Sequence, residues 1–335
     1  MNCIKKIFQW LVSIGIGFFI VNMLCFCYER PTGWIDTPNG PSPAGWNPGT
    51  VLVHGTEGYG ITKVDKNGYL NPDGVLQKEH ILCMGSSHTQ GKEVAPSEKY
   101  TALVNEHFSD GEGQLAAYNI ACDGNFLPSL IKHFSAAVTA FPDAAVVTIE
   151  LSSTDFSAEQ LKAAMLGTQY EESDSVVALD ACAGTKEKLK ILIKECMPLL
   201  SLMKTKLETK MTTEESGSTS LDEQQASLSL RKGIALLRSE FDGEILVVYH
   251  PQISIETDGS ITCIYGVTYE TFIMACEENN IQVIDMGPFF LQNFEKTKTL
   301  PYGFANTAPG VGHLNATGHR LIAEALIERL QEVIS

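Results

Sequence analysis

From residue 79 onward, short runs of nearly continuous apolar residues alternate with longer amphipathic stretches. His80–Met84, Ala116–Ala121, Ala144–Leu151, Glu244–Tyr249 and Ile281–Asp285 lack a regular polar alternation, so each reads as a strand buried on both faces. Residues 99–108, 127–141, 268–279 and 315–333 read as helices between and after them. Strands of this kind, alternating with helices, predict a parallel sheet covered on both sides, joined by right-handed crossovers. Residues 185–210 and 222–241 read as two amphipathic helices of an insertion. The polar, low-complexity stretch 212–220 between them reads as a mobile loop.

The N-terminus breaks this rhythm. Residues 7–27 carry no charge and would span roughly 30 Å as a helix, enough to cross a bilayer. No small-residue cleavage site follows, so an uncleaved signal anchor is expected rather than a removed leader. Lys5 and Lys6 precede the run, which places residues 1–6 in the cytoplasm and the rest of the chain outside it, on a cell membrane. Residues 28–78 read as an extracytoplasmic stalk and lead-in, rich in Pro, Gly and Asn between 31 and 60. An Asn67-Gly68 turn signal marks a short hairpin near its end. The main folded domain is then expected over 79–335.

Charge removes one class of partner. Acidic residues outnumber basic ones by 40 to 24, and no cluster of Lys and Arg is present, so a nucleic-acid partner is not expected. Nine Cys are present without a CxxC pair or a His at zinc-finger spacing. Buried thiols are the plain reading, and the pairing of any disulfide stays open.

In an open parallel sheet, ligands gather at the carboxyl ends of the strands. Four polar places lie there. Gly85-Ser86-Ser87-His88-Thr89 follows the first strand and can present a hydroxyl together with free backbone N–H groups, although Ser and Thr are also ordinary helix caps. Asn119 to Asn125 follows the second, with Gly124 able to bring an N–H close to a ligand. Leu151-Ser-Ser-Thr154-Asp155 follows the third. Gly310-Val-Gly-His313-Leu-Asn315 precedes the last helix, with His313 a candidate general base and Asn315 a candidate N-cap. His319, inside that helix, reads as a packing or surface residue. His250, ending the fourth strand, is a candidate for lining the same pocket, beside Ser86, His88, Asn125 and Asn306.

In this order the four places resemble the SGNH (GDSL-like) hydrolases, over about residues 60–335. Gly85 to Thr89 looks like that family's G-D-S-x-T block, and His313-Leu-Asn315 with Gly318-His319 resembles its terminal block. The resemblance implies a three-layer α/β/α, flavodoxin-like parallel sheet after one transmembrane helix. It implies Ser87 as nucleophile, His313 as base, and Ser87 N–H, Gly124 and Thr154 as oxyanion donors. Three positions depart from the pattern: Ser86 and Gly310 stand where the family has Asp, and Thr154 where it has Asn. A loop carbonyl in 303–312 or the Asn306 side chain is then expected to orient His313, giving a Ser–His dyad. The implied function is an extracytoplasmic serine esterase, working through a Ser–His dyad or a triad, on O-acyl or O-acetyl groups of a glycan or small-molecule ester. An O-acyltransferase of the same fold, or a non-catalytic glycan-binding module, is the alternative. No cofactor and no metal are expected. Oligomeric state is left open.

Overall fold

The computed structural model describes residues 2–30, 36, 37, 40, 41, 46, 48–76, 79–109, 115–167, 196–200, 202, 203 and 223–334. The expected loop at 212–220, and all of the expected helix 185–210 apart from 196–200, 202 and 203, lie outside the described residues.

Five strands form one parallel sheet: β3 (His80–Met84), β4 (Ala116–Asn119), β5 (Ala144–Leu151), β6 (Glu244–Tyr249) and β9 (Gln282–Asp285). Across the sheet they run β4-β3-β5-β6-β9, which counted along the chain is the flavodoxin order 2-1-3-4-5. The continuous apolar runs arise because both faces are buried. Leu82 and Met84 face one core with Leu130, Phe134, Leu230 and Phe272, while Ile81 and Cys83 face the other with Tyr100, Val104, Phe290 and Leu326. The first core is covered by α4 (Leu127–Ala140), α5 (Ala158–Met165), α6 (Glu223–Ser239) and α7 (Tyr269–Glu278). The second is covered by α3 (Tyr100–Ser109), α8 (Gly287–Thr297) and α9 (Ala316–Ile334). The three layers match the expected fold class.

The N-terminal helix α1 (Asn2–Tyr28) is long and apolar enough to cross a membrane. The lead-in departs from the expected stalk. Within it β1 (Val51–His54) and β2 (Gly60–Lys63) form an antiparallel hairpin, and Leu52, Val64 and Leu70 make a small core of their own. The Asn67-Gly68 signal gives a turn rather than a second hairpin. Asp65 fastens it, its carboxylate accepting the Asn67 and Tyr69 amides at 2.8 and 3.0 Å. A second hairpin, β7 (Gln252–Ile255) with β8 (Ile261–Ile264), also follows no signal read above.

His319 is buried in α9, which selects packing over a surface position. Its Nδ1 accepts the Tyr100 amide at 3.3 Å, which serves the start of α3. Burial pushes its pKa down to about 3. The folded state therefore keeps this ring neutral, whereas the unfolded chain takes up its proton below about 6.5. The resulting stability is complete above that value and is lost as pH falls towards 3. His319→Asn retains an acceptor but cannot be protonated. Urea midpoints measured across this window should fall less steeply for the variant than for the wild type, and equal slopes would contradict the assignment.

Candidate active site

The sheet order changes direction between β3 and β5, and both strands deliver residues to one rim there. Past β3 the chain turns into the short helix α2 (Ser87–Gln90), with Ser86 as its N-cap accepting the His88 amide at 3.3 Å. Ser87 is the first helical residue, so its own N–H has no intrahelical acceptor and is free to bind an anion. The turn is held from below. Glu150 of β5 accepts the Ser86 amide at 2.8 Å, the Ser86 hydroxyl at 2.9 Å and the Thr89 hydroxyl at 3.1 Å. Gly85 is required for this approach, because a Cβ there would run into Glu150 and Thr89.

Glu150 is wholly buried, and His250 contacts its other oxygen at 2.7 Å. Burial alone raises a carboxyl, but the hydrogen bonds and nearby imidazoles outweigh it and hold Glu150 down at about 2. A carboxylate therefore underlies the Ser87 turn although position 86 is Ser. His250 and Ser86, expected as pocket-lining residues, are instead buried supports beneath it, at 0% and 2% exposure. His250 Nδ1 meets the Tyr302 hydroxyl at 2.8 Å on its far side.

Ser87 and His313 do meet. Their Oγ and Nε2 atoms are 2.8 Å apart. His313 precedes α9, whose first turn is capped as expected by Asn315, its side-chain oxygen accepting the Thr317 and Gly318 amides at 2.9 and 3.2 Å. His88 supports the same loop, its Nδ1 accepting the Leu314 amide at 3.2 Å and its ring lying 5.1 Å from that of His313. Burial lowers the His88 pKa well below the ordinary value, so it stays neutral in that role.

The group that orients His313 is one the sequence reading did not find. Glu57, at the tip of the β1–β2 hairpin, lies 2.6 Å from His313 Nδ1 through one carboxylate oxygen and accepts the His313 amide at 2.8 Å through the other. A Ser–His–Glu chain results in place of a dyad. Gly312, at φ +92°, leaves the space Glu57 needs, since a Cβ there would collide with its carboxylate. Asn306 acts on the acid rather than on the imidazole. Its amide donates to the Gly55 and Gly58 carbonyls at 2.9 Å each and accepts the Gly58 N–H at 2.9 Å, which clamps the loop that presents Glu57. The backbone of 303–312 likewise braces itself, as in the Gly303 amide donating to the His313 carbonyl at 3.0 Å.

Gly124, at φ +79°, and the half-buried Asn125 sit in a turn tied to the Ser87 turn by the Cys122 amide and Gly85 carbonyl, 3.1 Å apart. Lys92 and Asp123 join the two turns again at 2.8 Å. Thr154 does not take up the expected donor role. It is fully buried, and Thr268 donates to its hydroxyl at 3.0 Å and to its carbonyl at 2.7 Å, so it fastens the exit of β5 to the start of α7.

One further carboxyl stands beside these three residues. Glu93 is 1% exposed, and its Oε1 lies 3.8 Å from His313 Nε2 and 3.9 Å from His54 Nε2. Burial pushes this carboxyl above the ordinary range. His54 in turn contacts Glu29, just past α1, at 3.4 Å. No group of three metal-ligating side chains occurs among the described residues.

No family model matches the chain, and no curated protein matches it. Solved structures do. The chain is similar to TesA at 14% identity and a TM-score of 0.41, covering 76% of this chain and 99% of that one. It is similar to a member of the lipolytic protein G-D-S-L family from Veillonella parvula at 18% identity and a TM-score of 0.40, over 76% and 98% of the two chains. It is also similar to the acetyl xylan esterase AlAXEase at 16% identity and a TM-score of 0.43, over 75% and 99%.

Proposed function

We propose that this protein is a membrane-anchored serine esterase that cleaves O-acyl esters outside the cytoplasm. The observation that carries this reading is the unbroken hydrogen-bonded chain Glu57–His313–Ser87. Ser87 Oγ attacks the acyl carbonyl while His313 Nε2 takes its proton, and Glu57 holds the imidazole in the tautomer that leaves Nε2 free to accept. The Ser87 and Gly124 N–H groups bind the oxyanion. His313 then returns its proton to the departing alcohol oxygen, leaving an acyl-Ser87 ester. Water attacks that ester with His313 as base, which frees the acid and restores the hydroxyl.

The surroundings of His313 Nε2 favour a polar alcohol. His54 and Thr56, next to the buried Glu93, lie on that side, where the leaving oxygen takes up its proton, and they suit the neighbouring hydroxyls of a sugar better than an alkyl chain. The same groups favour a second reading, in which a sugar hydroxyl replaces water and the protein acts as an O-acyltransferase. Lys5 and Lys6 before the span support the outward orientation.

The test uses the full-length protein in detergent with an aryl acetate and an O-acetylated oligosaccharide, with and without a second glycan as acceptor. Acyl release that a fluorophosphonate blocks is expected, and the ratio of free acid to acylated acceptor separates hydrolase from transferase. Absence of both products, or turnover that survives the inhibitor, would contradict the proposal.

A further inference from the structure

The anchor helix is exposed along most of its length, but near its end Cys25 and Phe26 are half-buried and Asn22 is buried. Asn22 is 7% exposed although it lies inside the apolar span. Its side-chain amide donates to the Cys196 carbonyl at 3.0 Å, and its side-chain oxygen accepts the Leu199 amide at 3.3 Å. Both halves of one amide are thus satisfied by the backbone of a segment 174 to 177 residues away. Asn22 precedes the end of α1 by six residues, which puts it roughly 9 Å inside the helix terminus. A polar side chain at that depth in a bilayer requires a partner from the protein. The partner segment must then reach the same depth.

That segment is suited to such a position. Residues 196–203, Cys-Met-Pro-Leu-Leu-Ser-Leu-Met, contain no charge and are bounded by Lys194 and Glu195 on one side and Lys204 and Lys206 on the other. Met197, Leu200 and Met203 are 38%, 45% and 54% exposed. In water such a cluster would be an unpaid exposure of apolar surface, whereas beside an exposed membrane helix it continues that helix's own apolar face.

We infer that residues 196–200, with Leu202 and Met203, form a second membrane contact, lying in the acyl-chain region of the leaflet from which α1 emerges and docked there by Asn22. The occupant of the exposed apolar face is lipid. This rests on the reading of α1 as a membrane span. The catalytic rim is drawn to the same surface. Tyr59 donates to the Cys27 carbonyl at 2.8 Å, and the Gly55 amide donates to Glu29 at 3.1 Å, so the hairpin carrying Glu57 sits on the exit turn of the anchor. Two attachments to one leaflet keep the hairpin carrying Glu57 close to the membrane and suit the site to esters presented at the membrane surface.

Tryptophan quenching tests this on the full-length protein in vesicles of phosphatidylcholine, with and without brominated acyl chains. Trp10, 70% exposed on α1, reports the anchor through the quenchable emission that Trp10→Phe removes. Leu200→Trp, with Met203→Trp as a second site, reports the segment. Leu166→Trp is the control: Leu166 is 77% exposed just after α5 and belongs to neither the anchor nor the segment that Asn22 holds. The emission added at position 200 or 203 should be quenched severalfold more strongly than that added at 166. If Trp10 is quenched but positions 200 and 203 behave like 166, the second contact is wrong and the anchor stands. If Trp10 is not quenched, the anchor reading fails and this inference fails with it.

Discussion

Replacing Glu57 by glutamine is expected to lower kcat for an aryl acetate by about four orders of magnitude, the scale seen when a triad acid becomes its amide. The reason lies in the two bonds Glu57 makes. One carboxylate oxygen faces His313 Nδ1 and the other faces the His313 amide, so both positions need an acceptor. Glutamine has one. With its oxygen on Nδ1, its NH2 meets the backbone N–H, donor against donor. With its oxygen on the backbone, its NH2 faces Nδ1 and drives the proton onto Nε2, where it blocks uptake of the Ser87 proton. Glu57 is half-buried on a hairpin tip, so the fold should survive. KM should change little, because Glu57 reaches the reacting atoms only through His313. A glutamine variant retaining wild-type kcat would remove Glu57 from the mechanism.

Ser87→Ala should have the larger effect, about 10⁶-fold in kcat, because no neighbouring hydroxyl is placed to replace the nucleophile. Ser86 cannot substitute, since its hydroxyl donates to Glu150 at 2.9 Å beneath the turn. Thr89 is likewise directed at Glu150. Alanine suits a first helical position, and the backbone N–H that binds the oxyanion is retained. The melting temperature should therefore stay close to that of the wild type while turnover disappears. A variant that loses activity together with its fold would leave the role of the hydroxyl unproved, and one that keeps substantial turnover would exclude it.

The fold was legible where local chemistry and tertiary burial agree. β3, β5 and β6 are buried on both faces, so their unbroken apolar character carried the parallel sheet directly. Asn315 was legible as a cap, because capping involves only the residues that follow it. Ser87 and His313 were found by position relative to strands and helices, which the sheet topology converts into proximity. Glu57 was not, because nothing in His54-Gly-Thr-Glu-Gly-Tyr-Gly60 records that its partner lies 256 residues away. The available hint was a lone carboxylate between glycines, flanked by two short apolar runs, which is also the composition of any surface turn. Glu150 offered a clearer hint that went unused: a charge inside an otherwise apolar strand requires a buried partner. His250, one strand over, is that partner. Thr154 was misassigned because its position after β5 was legible while its neighbour was not. Thr268 comes from the far side of the helical insertion, and only the folded chain brings the two hydroxyls together.

The central claim is that Ser87, His313 and Glu57 act as one unit, and the rate of phosphonylation by a fluorophosphonate tests it most directly. Intact-mass measurements on full-length protein should show a single adduct, mapped to Ser87 in the wild type. No adduct should appear in Ser87→Ala, and Glu57→Gln should react slower by about 10³-fold or more. An adduct on another residue, or a Glu57→Gln rate equal to that of the wild type, would contradict the account.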